Sequence, residues 1–248
     1  MKGATVSDVP FPETLARFRD DPLSLAWRIP GMWLLDKPSG PSSNLMVVRA
    51  RKALGIKRIG HAGTLDPLAS GLLLLLAGNA TRLFDHLQDM GKSYVAGFRL
   101  GERRDSQDIT GNVDADFVPT AFPPISSGAV SEAVKTFAGE ILQTPPMHSA
   151  LKKDGQPLYK LARQGVTVER AARPVTVHSL ALLAFDGTEG ILDMTVSKGF
   201  YVRTLIDDLG LRLCCGAVMT SLRRTAIGPY RVEDAVDLDG LAAKAETE

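Results

Sequence analysis

The first candidate for chemistry is Asp66, an acid set in the aperiodic stretch Gly60-His61-Ala62-Gly63-Thr64-Leu65-Asp66-Pro67. Glycines on its N-terminal side let a ligand approach the backbone, and Pro67 removes a competing donor. The alternative is that Asp66 only caps its own turn. Arg203 is the second candidate, directly after Ser197-Lys198-Gly199-Phe200-Tyr201-Val202 and at the expected start of a helix. A guanidinium there faces the positive end of the macrodipole, which is unfavourable by up to ~1 kcal/mol. An anion should compensate. A buried carboxylate such as that of Asp66 would do so, and a bidentate pair would hold it ionised and aimed. The alternative is an arginine whose head reaches solvent.

Local elements must position these groups. A strand over Gly31 to Leu35 leads into a Lys37-Pro38-Ser39-Gly40 turn, and Ser42 or Ser43 caps a helix over Asn44 to Leu54 that Gly55 stops. Ile59 to Ser70 breaks every periodicity and is expected as a loop built for a purpose. Gly71 to Ala77 is a buried strand, and Ala80 to Met90 a helix with Leu83, Phe84, Leu87 and Met90 inward. Alternation over Ser93 to Leu100 sends Tyr94, Ala96, Phe98 and Leu100 to one face, so Tyr94 points with the core.

A helix opening at Ser127 turns Val130, Ala133, Val134 and Phe137 inward. The basic stretch that follows, to Arg173, is too interrupted for a core element and is expected as an insertion that closes over a ligand. Paired strands over Val175 to Phe185 and Ile191 to Ser197 precede a helix from Tyr201 to Leu213. Strands and helices mix without a βαβ rhythm, which predicts an α+β fold around a largely antiparallel sheet flanked by helices.

Composition narrows the chemistry. Lys+Arg 29 against Asp+Glu 28 gives a net charge of +1, so nucleic-acid binding has to come from local patches. Two exist, Arg49, Arg51, Lys52, Lys57 and Arg58 in one stretch and Arg99, Arg103 and Arg104 in another, and either alone is more often a solvated face than a phosphate track. The adjacent pair Cys214 and Cys215 makes neither a disulfide nor a zinc site, and the four histidines are scattered, so no metal is expected. The first thirty residues lack the apolar run of a secretory signal, and Leu72 to Ala77 is too short to span a bilayer. A cytoplasmic protein without membrane contact is expected.

Leu35-Asp36-Lys37-Pro38-Ser39-Gly40 with Ser42-Ser43-Asn44, then Gly60-His61 through Asp66-Pro67-Leu68-Ala69-Ser70-Gly71, resembles the opening of the TruB family of tRNA pseudouridine synthases. Lys92-Ser93-Tyr94, Arg99-Leu100-Gly101 with Asp105, Asp108 and Gly111, Ser149-Ala150-Leu151-Lys152, Ser197-Lys198-Gly199, Tyr201-Val202-Arg203-Thr204, Asp207-Asp208-Leu209-Gly210 and Leu222-Arg223-Arg224 follow in the family's order over Gly31 to Tyr230. The resemblance implies the pseudouridine synthase fold and isomerisation of the T-loop uridine, position 55 in tRNA numbering, after base flipping and without cofactor or metal. It implies Asp66 as the catalytic aspartate, Tyr94 as the tyrosine beside the target base, and Arg203 as the arginine that salt-bridges the aspartate. It also implies Tyr201 and Leu222 as pocket walls, His61 as the residue that fills space among the loop bases, and Lys37 and Lys152 as RNA contacts. Asp105, Gly63 and Lys198 are implied as supporting residues, Asp105 in the ion network. The tRNA T-arm is the expected partner, with no protein partner required and the enzyme a monomer.

Ala62, Phe200 and His148 depart from the family's usual Thr, Thr and Tyr without removing a reactive group. The expected organisation is an N-terminal extension over 1–29, a catalytic domain over 30–235 with a thumb-like insertion over 146–173, and a short tail over 236–248 that leaves no room for a full C-terminal PUA domain. Two other readings compete. One is a synthase for another stem-loop, alone or with a guide RNA. The other is a noncatalytic RNA-binding or RNA-folding protein on the same scaffold, for which a carboxylate in a uracil pocket would have no use.

Overall fold

The computed structural model describes residues 31–245, and the expected extension over 1–29 lies outside them. Along the chain the elements are β1 (Met32–Lys37), α1 (Ser43–Leu54), β2 (Ile59–Ala62), β3 (Ser70–Ala77), a 3-10 turn (Gly78–Leu83), α2 (Phe84–Asp89), β4 (Lys92–Leu100), α3 (Ser127–Lys135) and β5 (Gly139–Gln143). There follow β6 (Lys152–Lys153), β7 (Gln156–Pro157), α4 (Leu158–Ala162), β8 (Arg173–Phe185), β9 (Glu189–Val196), α5 (Val202–Arg212), β10 (Ala217–Ile227), β11 (Tyr230–Arg231), a 3-10 turn (Val232–Asp234) and α6 (Leu238–Ala245). The described residues fall into two units, 31–94 with 223–245, and 95–222, with the boundaries within β4 and within β10.

The first unit is built around β3. Its run Leu72-Leu73-Leu74-Leu75-Leu76 is continuous rather than alternating because both faces are covered. One face, Leu72, Leu74 and Leu76 with Met32 and Leu34 of β1, packs on Leu83 and Leu87. The other, Leu73 and Leu75 with Trp33 and Leu35, packs on Met46, Val47 and Ala50 of α1 and on Leu241 of α6. β1 and β2 lie antiparallel to β3, and β10 joins it in parallel with Arg224 opposite Gly71. Gly71 has φ +101°, and a Cβ there would lie 2.3 Å from the Arg224 carbonyl oxygen, so only glycine lets β10 approach.

The second unit holds the strands in the order β4-β9-β8-β5, with β9 and β5 both antiparallel to β8. Phe98 and Phe185 stack with centroids 6.0 Å apart. The segment 146–173 contains the β6–β7 hairpin and the short helix α4.

Much of this follows the periodicity. Ser42 caps α1 by accepting from Leu45 N, Gly55 ends it in the left-handed region, and Tyr94, Ala96, Phe98 and Leu100 all face inward. Several expectations fail. Ile59 to Ala62, expected as loop, is a strand, and the irregular part begins only at Gly63. The helix expected over Ala80 to Met90 starts as a 3-10 turn, leaving Phe84 38% exposed rather than buried. The tail expected from residue 236 instead carries α6, which lies against α1.

Candidate active site

In the first unit, Asp66 sits in the loop that joins β2 to β3. Buried Ser43 clamps the residue before it, donating through Oγ to Leu65 O at 2.9 Å and accepting from Leu65 N at 2.8 Å. From the turn after β1, Gly40 N donates to Pro67 O at 2.8 Å and Ser39 Oγ to Leu68 O at 2.8 Å. The backbone carrying Asp66 is thus held on both sides while its side chain stays half-buried.

Arg224, on β10, supports the same loop from beneath. Its Nε donates to Leu72 O at 2.7 Å, Nη2 to Gly63 O at 3.1 Å and Nη1 to Thr64 O at 3.4 Å, and the guanidinium also hydrogen-bonds the Tyr94 hydroxyl. Burial disfavours its charged form and draws its pKa down. Tyr94 is 9% exposed on the inward face of β4.

Lys37, expected to touch RNA, is instead fully buried, because β1 continues through it and pairs it with Gly71. Its Nζ donates to Pro38 O at 2.8 Å and to Pro41 O at 2.7 Å. Burial lowers its pKa to about 8, against the opposing pull of the Asp66 carboxylate. His61, half-buried on β2, is pushed below the ordinary histidine value by burial and then by the Arg224 charge, so its ring is neutral at neutral pH. Lys37, His61, Gly63, Asp66 and Tyr94 therefore share one locality, with Arg224 among them.

In the second unit, Arg203 lies in the first turn of α5 and is 4% exposed. Nη1 donates to Ser106 O at 2.9 Å and Nη2 to His148 O at 2.8 Å, and Nε stands 3.9 Å from Asp108 Oδ2. Asp108 is itself fixed, its Oδ1 accepting from Ser106 Oγ at 2.9 Å and Thr110 N at 2.9 Å. Tyr201, half-buried just before α5, is held through its backbone by the buried Gln143 side chain, at 3.0 and 3.1 Å. Leu222 is 8% exposed, while Lys152 and Lys198 are exposed.

Asp105, expected in the ion network, faces solvent and accepts from Asn112 N and Nδ2 at 2.9 and 3.1 Å. The carboxylates of that network are Asp108 and Asp207, the latter receiving Arg103 at 2.7 and 2.9 Å. The second basic patch is likewise spent internally. Arg99 and Arg104 pair with Glu102, and Arg103 with Asp207 and Asp114. The first patch keeps all five residues exposed on and after α1.

Arg224, Asp108 and Asp207 take places in these arrangements although the resemblance assigns them no role. The signal for Arg224 was available, since Leu222, Arg224 and Ala226 recur at a period of two and an arginine in that series points inward. Among the described residues no group of three or more His, Cys, Asp or Glu is placed to hold a metal ion, and no helix is long and apolar enough to cross a membrane.

Residues 51–202 match the family described as TruB family pseudouridylate synthase (N terminal domain), and residues 203–248 match the tRNA pseudouridylate synthase B C-terminal domain. Among curated proteins, tRNA pseudouridine synthase B of Aromatoleum aromaticum is 48% identical over 215 residues, covering 87% of this chain and 68% of that one. The protein of the same name from Bordetella avium is 43% identical, covering 94% and 92%. Among solved structures, a chain of a Cbf5-Nop10-Gar1 complex superposes with TM-score 0.68 at 30% identity, and one of an archaeal box H/ACA sRNP Nop10-Cbf5 complex with TM-score 0.66 at 26%. The present chain spans 58% of the length of each of these two.

Proposed function

Since the chain belongs to the TruB family of pseudouridylate synthases, we propose that it isomerises the T-loop uridine of tRNA, position 55, to pseudouridine. The observation that carries this reading is the Asp66 loop, an acid on a backbone held by Ser43, Ser39, Gly40 and Arg224, with a buried ammonium beside it. The reaction breaks the C1'–N1 bond and joins C1' to C5. The C5 proton leaves and N1 takes one up, so no electrons are gained or lost and no cofactor is called for. A carboxylate beside the ribose serves either as nucleophile at C1' or as the base that takes the C2' proton.

Asp66 is the proposed reacting carboxylate, Tyr94 the phenol against the extruded base, and Arg203 the guanidinium that salt-bridges the carboxylate and keeps it ionised. Flipping the uridine costs roughly a few kcal/mol. Stacking on an aromatic ring returns ~1–3 kcal/mol. Tyr201 and Leu222 wall the base, His61 enters the space it vacates as a neutral ring, and Lys152 and Lys198 meet phosphates. Residues 146–173 act as a thumb closing on the RNA. The enzyme works as a cytoplasmic monomer, without a protein partner. The tRNA pseudouridine synthases B of Aromatoleum aromaticum and Bordetella avium share 48% and 43% of residues with it, against 26–30% for the two chains from multiprotein complexes.

The test is incubation of the purified protein with a T-arm minihelix, followed by mapping of pseudouridine at single-nucleotide resolution. One modified position, the T-loop uridine, is expected. Modification of cellular RNAs only elsewhere would overturn the T-loop assignment, and RNA binding without any modification would favour the noncatalytic reading.

Lys37 gives this site a pH signature. Its ammonium supports the Asp66 charge below about pH 8 and is lost above it. The single-turnover rate should therefore fall as pH rises through that value, and Lys37→Met should lack this alkaline limb. Stability moves the other way. A lysine titrating at about 8 when folded and at 10.5 when unfolded disfavours the folded state at neutral pH, and that penalty disappears between the two values. Rate profiles alongside denaturation at pH 7.5 and 9.5 (about two units apart) read both directions.

A further inference from the structure

Arg224 is the largest wholly buried side chain among the described residues, 1% exposed. Its acceptors are the carbonyls of Leu72, Gly63 and Thr64 and the Tyr94 phenol, and none of these four carries a formal charge. A cation buried on neutral acceptors is costly. Four hydrogen bonds from one planar group also fix more geometry than a strand needs, because they tie the backbone just ahead of Asp66 to the hydroxyl of a residue on a different strand.

We propose that Arg224 is a positioning residue for the isomerisation, setting the Gly63–Thr64 backbone that presents Asp66 and turning the Tyr94 hydroxyl so that its proton points away from the guanidinium. The proposal rests on the reading of Asp66 and Tyr94 as the reacting groups. A phenol oxygen that accepts from a guanidinium directs its own O–H elsewhere, which leaves Tyr94 as a donor with one orientation rather than a free rotor. The nearby charge lowers the proton affinity of His61 and of Lys37 as well, so one buried cation biases several groups of the locality at once. Lysine cannot replace it, because a single ammonium lacks the planar fork that spans Leu72 O and Gly63 O while reaching Tyr94.

The test compares wild type, Arg224→Lys, Tyr94→Phe and the double variant in single-turnover pseudouridine formation on a T-arm minihelix, with RNA affinity and melting temperature measured alongside. Arg224→Lys is expected to lower the rate by about a hundredfold while RNA affinity stays within about threefold. In the Tyr94→Phe background the same substitution should cost less than about tenfold, since part of its effect runs through the missing hydroxyl. Equal losses in both backgrounds, or a wild-type rate in Arg224→Lys, would overturn the proposal.

A measurement on the intact side chain stands apart from any folding defect at position 224. Nitrogen NMR of the guanidinium should show slowly exchanging Nη protons whose signals move on Tyr94→Phe, and rapidly exchanging signals indifferent to that substitution would also count against it. Absence of pseudouridine with the wild-type protein would refute the functional reading instead, and leaves the NMR result to decide the contact.

Discussion

Asp66→Asn should reduce pseudouridine formation by at least about a thousandfold, equivalent to ~4 kcal/mol of transition-state stabilisation, while leaving the fold and most of the RNA affinity in place. Asparagine has the shape of aspartate but neither the charge to attack C1' nor the basicity to take the C2' proton. The loop's backbone has supports of its own. It is held by Ser43 on Leu65, by Ser39 and Gly40 on Leu68 and Pro67, by Arg224 on Gly63 and Thr64, and by Ala69 N on the Asp66 carbonyl at 3.1 Å. Melting temperature should change little, and affinity for a T-arm minihelix should stay within about tenfold, or ~1.4 kcal/mol. Single-turnover assays with radiolabelled uridine, beside filter binding, separate the two quantities. A variant with normal turnover would remove Asp66 from the chemistry, and one that loses binding in parallel would make it a recognition residue.

Arg203→Lys should be the second most damaging change, lowering the catalytic rate by about a hundredfold or more with RNA affinity little altered. The reason lies in the geometry at the start of α5. Two separate nitrogens of the guanidinium reach Ser106 O and His148 O while a third faces Asp108. Lysine carries its charge on one atom and can serve only part of this set, leaving buried carbonyls unsatisfied and the charge displaced. Glycine at 111 shows how tightly the surrounding turn is drawn, since a Cβ there would stand 2.2 Å from Ser106 Oγ. Near-normal turnover in Arg203→Lys would argue that charge alone matters at this position.

Helix limits and the alternating strands were readable because each is set by neighbours a few residues away. Ser42 and Gly55 bracket α1, Tyr94 to Leu100 alternate, and the β8–β9 hairpin turns where Gly187 and Gly190 permit. The alternation of Leu222, Arg224 and Ala226 marks an inward arginine on β10, but not what that arginine meets, because its backbone acceptors lie more than a hundred and fifty positions away. Lys37 is expected as an RNA contact in a Lys-Pro-Ser-Gly turn, and only the pairing of β1 with β3 through Gly71 buries it.

Asp105 and Asp108 are equivalent as turn formers in the sequence. Closure of that turn, with Ser106 Oγ and Thr110 bound to Asp108, decides which of them stands by Arg203. The family motifs supplied the names of the site residues, and the hydrogen bonds that hold them come from long-range packing that no local pattern encodes.

The first unit is discontinuous, made of an early stretch of chain and a late one with the whole of the second unit synthesised between them. On the ribosome, residues 95–222 are complete while β3 still lacks β10 and α1 still lacks α6. The late segment must then close a loop of more than a hundred residues, an entropic demand that grows only logarithmically with length but delays the step. Until that closure the Asp66 loop exists without Arg224 beneath it. The support beneath the Asp66 loop is therefore acquired last, and a chain halted short of residue 224 would carry Asp66 on a loop without the Arg224 hydrogen bonds to Gly63 and Thr64.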